Sequence, residues 1–254
     1  MNRGFKKAVY GLFYLSLLGL FALLVMRSAT KAAPTCFDNI QNQNESGIDC
    51  GGLCTPCDIK NLIPLDEAAP SRIFSLASGK AFALFKVENQ NTTYHAMPFS
   101  YTVKVLDLNG VNVESWTGSD VLFAGESRYI LETRITPPAR SIGSVSIQLS
   151  DPVWKSVNDF VPPSLSLSNT KTDVGSSWLR VNGTIKNGSS FSADNVKVVA
   201  ILRSKSGAEL FASQTVLTSV PEFGTGSFTV SFPFDTTLIK ELDPNGTMVF
   251  ASSK

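Results

Sequence analysis

The clearest pattern along the chain is an alternation of apolar and polar residues with period two. It is present at 101–105, 145–149 and 228–234. Around 196–202 it is less clean, because Val199 and Ile201 lie between the alternating apolar positions. Period two places one face of a strand on a core and the other in water. The pattern predicts a mainly β protein, with no long helix after residue 35.

One apolar run has a different character. Residues 8–26 are nineteen consecutive residues without a charge. As a helix they span roughly 28 Å, close to the ~30 Å hydrocarbon thickness of a bilayer. Three basic residues precede the run and two follow it, which favours a cytoplasmic N-terminus. The alternative is a cleaved signal peptide, whose apolar region is usually about 7–15 residues long. We therefore predict an uncleaved anchor that contacts membrane lipid through residues 8–26, with the rest of the chain extracytoplasmic.

Charge and composition exclude several classes of protein. The chain carries 22 basic and 21 acidic residues, and its first 31 residues hold five of the bases and no acid. The remainder is therefore acidic and lacks the basic stripe of a nucleic-acid-binding protein. His95 is the only histidine, so no catalytic or metal site that needs two imidazoles is present.

Catalytic motifs are equally scarce. His95 is expected in a loop between strands, as a solvated or locally bonded side chain. No G-x-S-x-G elbow and no phosphate-binding G-x-x-x-x-G-K-[ST] loop occurs. We predict no catalytic residues, and a hydrolase that uses His95 is the remote alternative.

The cysteines are clustered near the predicted membrane segment. Four of them, Cys36, Cys50, Cys54 and Cys57, lie within 22 residues. In an oxidising compartment such a cluster favours two disulfides, in any of three pairings. A zinc site is the competing interpretation, but only Cys54 and Cys57 form a C-x-x-C pair. A redox-active C-x-x-C is disfavoured, because the thioredoxin-like context is absent.

The loop between Cys36 and Cys50 is rich in side-chain oxygens. Calcium takes six to eight oxygen ligands, and this segment supplies a candidate set: Asp38, Asn39, Asn42, Glu45 and Asp49. The alternative is a hydrated turn stapled at both ends. Calcium is therefore the one candidate cofactor.

This segment resembles a motif found in secreted and surface proteins of bacteria, D-x-x-x-N-x-x-E-[ST]-x-x-D-C-G-G-x-C-x-x-C. It matches from Asp38 to Cys57, although members often have Asp-Gly where this chain has Asp38-Asn39. The resemblance implies an envelope location and no particular activity.

Turn residues recur in the same order in two halves of the β region. Each half has an Asn-rich turn, a hairpin glycine and a later glycine: Asn89–Thr92, Gly110 and Gly125, then Asn187–Ser190, Gly207 and Gly224. Two modules of about 90 residues with one turn order indicate a duplicated sandwich. The arrangement resembles the FxLYD-like, immunoglobulin-like sandwiches of bacterial surface proteins, which implies fold and hardly function.

These predictions divide the chain into eight segments: a cytoplasmic tail (1–7), a transmembrane helix (8–26), a linker (27–35), a cysteine-rich segment (36–57), a linker (58–70), a first sandwich (71–157), a linker (158–164) and a second sandwich (165–254). Trp116, Trp154 and Trp178 are expected in the sandwich cores. The predicted function is a non-catalytic binding or scaffolding protein of the cell envelope with a protein or glycan partner and no nucleic acid. The alternative is a structural subunit of an oligomeric surface or secretion-linked assembly.

Overall fold

The computed structural model describes residues 3–29, 35–42, 44–150 and 152–253. Strands make up 52% of it and helices 15%, so the predicted mainly β class is confirmed. The chain divides into two compact units, one up to Leu62 and one from Ile63 onward.

The first unit holds a long helix and the cysteine-rich segment. Helix α1 (Arg3–Ala29) extends beyond the predicted 8–26 at both ends, and α2 (Cys57–Lys60) is a single turn. Residues 3–26 form a helix that is long and apolar enough to cross a membrane. One disulfide, Cys36–Cys54, lies within the segment between α1 and α2, and the other, Cys50–Cys57, links that segment to the first residue of α2.

The second unit contains thirteen strands among its described residues. The first seven are β1 (Asp66–Ser75), β2 (Ala81–Glu88), β3 (Tyr94–Asp107), β4 (Asn112–Leu122), β5 (Ser127–Glu132), β6 (Ile142–Leu149) and β7 (Trp154–Ser156). The next six are β8 (Leu165–Val174), β9 (Leu179–Asn187), β10 (Ala193–Ser204), β11 (Glu209–Val220), β12 (Thr225–Phe232) and β13 (Leu242–Ser252), with helix α3 (Thr236–Glu241) before the last. Strand β1 thus begins inside the stretch 58–70 that was predicted as a linker.

Strand order is the same in both halves. Strands β1–β7, the first sandwich, form sheets with the orders β1-β2-β5 and β4-β3-β6, and β7 pairs with β3. Strands β8–β13, the second sandwich, form the orders β8-β9-β12 and β11-β10-β13. Every pairing is antiparallel. The repeated order indicates that both sandwiches have the same strand topology.

The two sandwiches stack face to face and share an apolar layer. The outer face of sheet β1-β2-β5 contributes Phe74 and Phe82, which meet Phe211 of β11 at ring-centroid distances of 5.6 and 5.4 Å. Val199 and Ile201 of β10 belong to the same apolar cluster and are buried. Strand β10 is therefore buried on both faces around 198–202, which explains why the alternation around 196–202 is not clean.

The outer faces of the stack are polar. Ser144, Ser146 and Gln148 are exposed on β6, and Ser227, Thr229 and Ser231 are exposed on β12.

Candidate functional site

The four cysteines form two disulfides. Cys36 pairs with Cys54 and Cys50 with Cys57. The bridges interlock, because Cys50 lies between the partners of the first bridge and Cys57 lies beyond it. The structure therefore supports the disulfide framework over the zinc interpretation and selects one of the three pairings left open by the sequence.

The acidic side chains of this segment cap backbone N–H groups. Asp49 Oδ1 accepts from the N–H groups of Asp38 and Asn39 at 3.0 Å each. Glu45 Oε2 accepts from Asn42 N–H at 3.1 Å and from Asp49 N–H at 3.2 Å. A hydrogen bond from Thr35 N–H, and then one from Asn42 Nδ2, lowers the pKa of Asp38 below its ordinary value.

These bonds bear directly on the calcium prediction. Glu45 and Asp49 are buried, and their oxygens satisfy N–H groups in a segment with almost no regular secondary structure. Among the described residues, the possible ligand atoms of Cys36, Glu45 and Cys54 lie within 4.8 Å of one another. Both of these sulfurs are in a disulfide. The carboxylates of Asp38, Glu45 and Asp49 thus have a structural role without a cation, and calcium binding stays a prediction.

His95 lies in strand β3 and not in a loop, so that part of the sequence interpretation is wrong. Its Nδ1 accepts from Ala124 N–H at 2.9 Å, which places the ring proton on Nε2, and Nε2 donates to Phe160 O at 3.1 Å. The ring is 2% exposed and contacts Phe123 and Phe160 edge-on. Both nitrogens hold backbone groups, so neither is free to take a proton from a nucleophile.

The other candidate chemistry is sparse in the described part of the chain. Trp116 and Trp154 pack against the core of the first sandwich, whereas Trp178 is 40% exposed and lies against Arg180. A surface cavity of about 630 Å³ lies between residues 75–79 and 138–140, and Arg140 is the ionisable side chain that lines it. This cavity contains no pair of a nucleophile and a base.

A buried asparagine organises the same end of each sandwich. Asn89 Nδ2 donates to the carbonyls of Tyr94, Leu122 and Phe123 at 2.8, 3.4 and 3.2 Å. In the second sandwich Asn187 Nδ2 donates in the same way: to Phe191 O, Val220 O and Pro221 O at 2.8, 3.2 and 3.1 Å. We call each set the asparagine clasp. The Asn-rich turns were recognised in the sequence as repeat markers, and the clasp is their physical reason.

The clasp also corrects one predicted equivalence. Gly125 N–H donates to Asn91 O at 2.9 Å, and the corresponding bond in the second sandwich runs from Phe223 N–H to Ser189 O at 3.0 Å. Gly125 therefore corresponds to Phe223 and not to Gly224. Both backbones are left-handed there, with φ of 69° and 48°.

An ion cluster links the two sandwiches at one edge. Asp120 of β4 binds Arg128 of β5 at 2.9 Å and Lys197 of β10 at 3.0 Å. Burial alone raises the pKa of Asp120, but the charges of Arg128 and Lys197 outweigh burial and hold it below its ordinary value. Lys197 thus ties the second sandwich to a carboxylate of the first, a contact that no local sequence pattern announces.

Exposed aromatic side chains mark the clasp end of the second sandwich. Phe223 is 67% exposed and Phe191 is 39% exposed. In the first sandwich, Phe123 and Phe160 at this end are only half-buried but stack on each other at 5.9 Å. The exposed pair on the second sandwich is one candidate binding surface among the described residues; Phe37 and Leu53 of the disulfide-linked segment are exposed as well.

No protein-family model and no curated protein matches the chain. Solved structures match it at low similarity. The exo-chitosanase CsxA of Amycolatopsis orientalis is 12% identical with a TM-score of 0.28, over 72% of this chain and 25% of the exo-chitosanase. This chain thus spans about a quarter of that enzyme.

Two further structures are more distant. Red sea bream transglutaminase is 13% identical with a TM-score of 0.21, over 75% of this chain and 30% of the transglutaminase. The tandem CBM22-1–CBM22-2 domain of Paenibacillus barcinonensis Xyn10C is 9% identical with a TM-score of 0.16, over 75% and 85% of the two chains. Likenesses at this level carry no argument about function.

Proposed function

We propose that this chain is a membrane-anchored, extracytoplasmic binding or scaffolding protein of the cell envelope that performs no catalysis. A single-pass helix holds it in the lipid with the N-terminus in the cytoplasm. The disulfide-linked segment follows outside the membrane, and the two stacked sandwiches present a surface to a protein or glycan partner.

The observation that carries the proposal is the exposure of α1. Leu12, Leu18 and Phe21 are 69%, 71% and 68% exposed, and none of the apolar window of this helix is buried inside the protein. Apolar surface of this extent is unfavourable in water at about 25 cal/mol per Å², and lipid removes that cost. The basic residues of the first turns, Arg3 among them, favour the cytoplasmic side.

The disulfides and the sandwiches support the remaining parts. Disulfides persist in oxidising compartments outside the cytoplasm, which agrees with a segment placed beyond the membrane. The stacked sandwiches supply polar outer faces and an exposed aromatic pair. Both ring nitrogens of His95 are engaged in hydrogen bonds to the backbone, which favours a binding role over hydrolysis.

Cross-linking of the full chain in intact envelopes tests the proposal. We expect the chain to stay in the membrane fraction after an alkaline carbonate wash and to cross-link reproducibly to one envelope component. That component, once purified, is expected to rebind the isolated chain. Release by carbonate, or a chain that cross-links to nothing, contradicts the proposal.

A second measurement tests the non-catalytic part. The purified chain and His95→Gln are compared with ester and glycoside probes. We expect no turnover from either chain, and turnover that disappears in His95→Gln contradicts the proposal.

A further inference from the structure

Strand β7 covers the start of β3 in the first sandwich. It pairs with the first three residues of β3. Next to that pairing, Met97 N–H donates to Val153 O at 2.8 Å and Val157 N–H donates to Thr93 O at 3.1 Å. His95, inside the covered stretch, is buried. This edge of β3 is therefore closed by a short extended segment that comes after β6.

In the second sandwich no described residue pairs with the corresponding stretch of β10 on this side. Ala96 pairs with Leu122 in the first sandwich and Ala193 pairs with Val220 in the second, so the two alanines correspond. On its other side, β10 pairs with β13 only as far as Lys197. The residues around Ala193 that correspond to the covered stretch are exposed: Phe191, Ser192 and Asp194.

Phe223 lies in the turn after β11, bonded to the loop that leads into this edge, and has an unusual conformation. It occupies the position of Gly125 with φ of 48°, a region that bulky side chains rarely adopt. Its N–H is bonded to Ser189 O, so the clasp holds the backbone there. A strained, exposed aromatic residue where the other sandwich uses glycine is the kind of outlier that accompanies binding sites.

We propose that the edge formed by residues 191–194 of the second sandwich, with Phe223 beside it, binds an extended peptide segment of a partner protein as an added β-strand. The segment occupies the place that β7 holds in the first sandwich and runs antiparallel to β10. Asn195, with φ of 49°, separates it from the β10–β13 ladder. Backbone hydrogen bonds supply the affinity of such additions, and side chains supply the selectivity. This inference rests on the proposed binding function and names the class of partner.

The first sandwich indicates the chemistry of the segment. The sequence that covers β3 places Trp154 and Lys155 in β7 and Phe160 four residues after the end of β7. Lys155 Nζ lies 5.1 Å from the centre of the Phe160 ring. Around the open edge the exposed charged residues Asp194 and Glu222 are acidic. The partner segment is accordingly extended, carries aromatic side chains and includes a basic residue.

A synthetic peptide with the sequence of residues 152–161, labelled with a fluorophore, is the probe. It is titrated with the full chain in detergent and followed by fluorescence anisotropy. The first sandwich already holds this sequence intramolecularly at high effective concentration, so the open site is on the second sandwich. We expect saturable binding, and no binding at millimolar protein overturns the proposal.

Two backbone-modified peptides test strand addition. N-methylation at Val157 removes the N–H that faces β3 in the first sandwich. N-methylation at Ser156 alters an N–H that points away, because alternate N–H groups face opposite sides of a strand. We expect about a tenfold loss of affinity for the first peptide and little change for the second. Equal effects overturn strand addition.

Protein variants locate the site. Phe223→Gly installs the residue of the first sandwich and removes the ring without disturbing the clasp, so we expect at least about tenfold weaker binding and unchanged thermal stability or a gain. Leu108→Gly, at an exposed turn position of the first sandwich, is the matched control and is expected to bind as the parent. Parental binding by Phe223→Gly overturns the proposed location. If the peptide does not bind but the chain still cross-links to one envelope component, the proposed peptide-binding edge is refuted and the proposed function is retained.

Discussion

Replacement of Asn187 by alanine tests the asparagine clasp. The side chain is fully buried, and its Nδ2 donates to the carbonyls of Phe191, Val220 and Pro221. Its Oδ1 accepts from Ser189 N–H at 2.9 Å. Alanine leaves that N–H without its partner and removes one hydrogen bond from each carbonyl, at a site where water is largely excluded.

The magnitude follows from the number of bonds. The two Nδ2 hydrogens and Oδ1 make the equivalent of three good hydrogen bonds, each contributing about 1 kcal/mol net. We therefore expect Asn187→Ala to lower the free energy of unfolding by about 3 kcal/mol. Asn89→Ala is expected to lower it by a similar amount, because the first sandwich repeats the same bonds.

Urea unfolding of the full chain in detergent, followed by tryptophan fluorescence and circular dichroism, measures both losses. Asn109→Ala is the matched control, since Asn109 is exposed in the turn after β3, and we expect a change within about 0.5 kcal/mol. A loss below about 1 kcal/mol for Asn187→Ala, with an unchanged dependence on urea, refutes the clasp argument.

Three further predictions concern the stack, the ion cluster and the disulfides. Phe211→Ala removes a buried ring from the layer between the sandwiches. We expect urea unfolding to show a loss of about 3–5 kcal/mol in the free energy of unfolding, against almost none for Leu108→Ala at an exposed position. Equal losses contradict the shared layer. Because the folded-state pKa of Asp120 is lowered, its contribution to the free energy of unfolding is complete above the unfolded pKa of about 3.9 and is lost as pH falls through the lower folded pKa. Asp120→Asn should therefore reduce the fall in stability that accompanies acidification. An unchanged dependence of stability on acid pH contradicts the cluster. Reduction with dithiothreitol should expose residues 36–57 to protease and leave the melting of the sandwiches unchanged, because all four cysteines lie in that segment; a lowered melting temperature contradicts this.

Local sequence patterns predicted the strands that have one face on a core and the other exposed to solvent. The alternations at 101–105, 145–149 and 228–234 lie in strands β3, β6 and β12, because each places one face on a core. The run around Val199 and Ile201 has a second buried face. Phe250 of β13, which pairs with Val199, contacts Tyr129 of the first sandwich at a ring-centroid distance of 4.6 Å. Contacts of that kind leave no periodic trace except the loss of clean alternation.

The errors near the candidate site have the same origin. His95 follows turn-forming residues and precedes Pro98, which favours a loop in any local pattern. It is a strand residue because β4 and β7, both distant in sequence, pair with its neighbours. Gly224 was predicted as the glycine of the later turn, but the residue with a left-handed backbone in that turn is Phe223. The disulfide pairing has no local signature at all.

Protease protection in spheroplasts tests the central claim most directly, which is that a lipid-embedded helix near the start of the chain holds the disulfide-linked segment and the sandwiches outside the cytoplasm. The full chain carries one epitope tag before Met1 and another after Lys254, and protease is added to the intact spheroplasts. We predict that the C-terminal tag is lost while the N-terminal tag survives on a short membrane-bound fragment. Protection of the C-terminal tag until the membrane is broken contradicts the account.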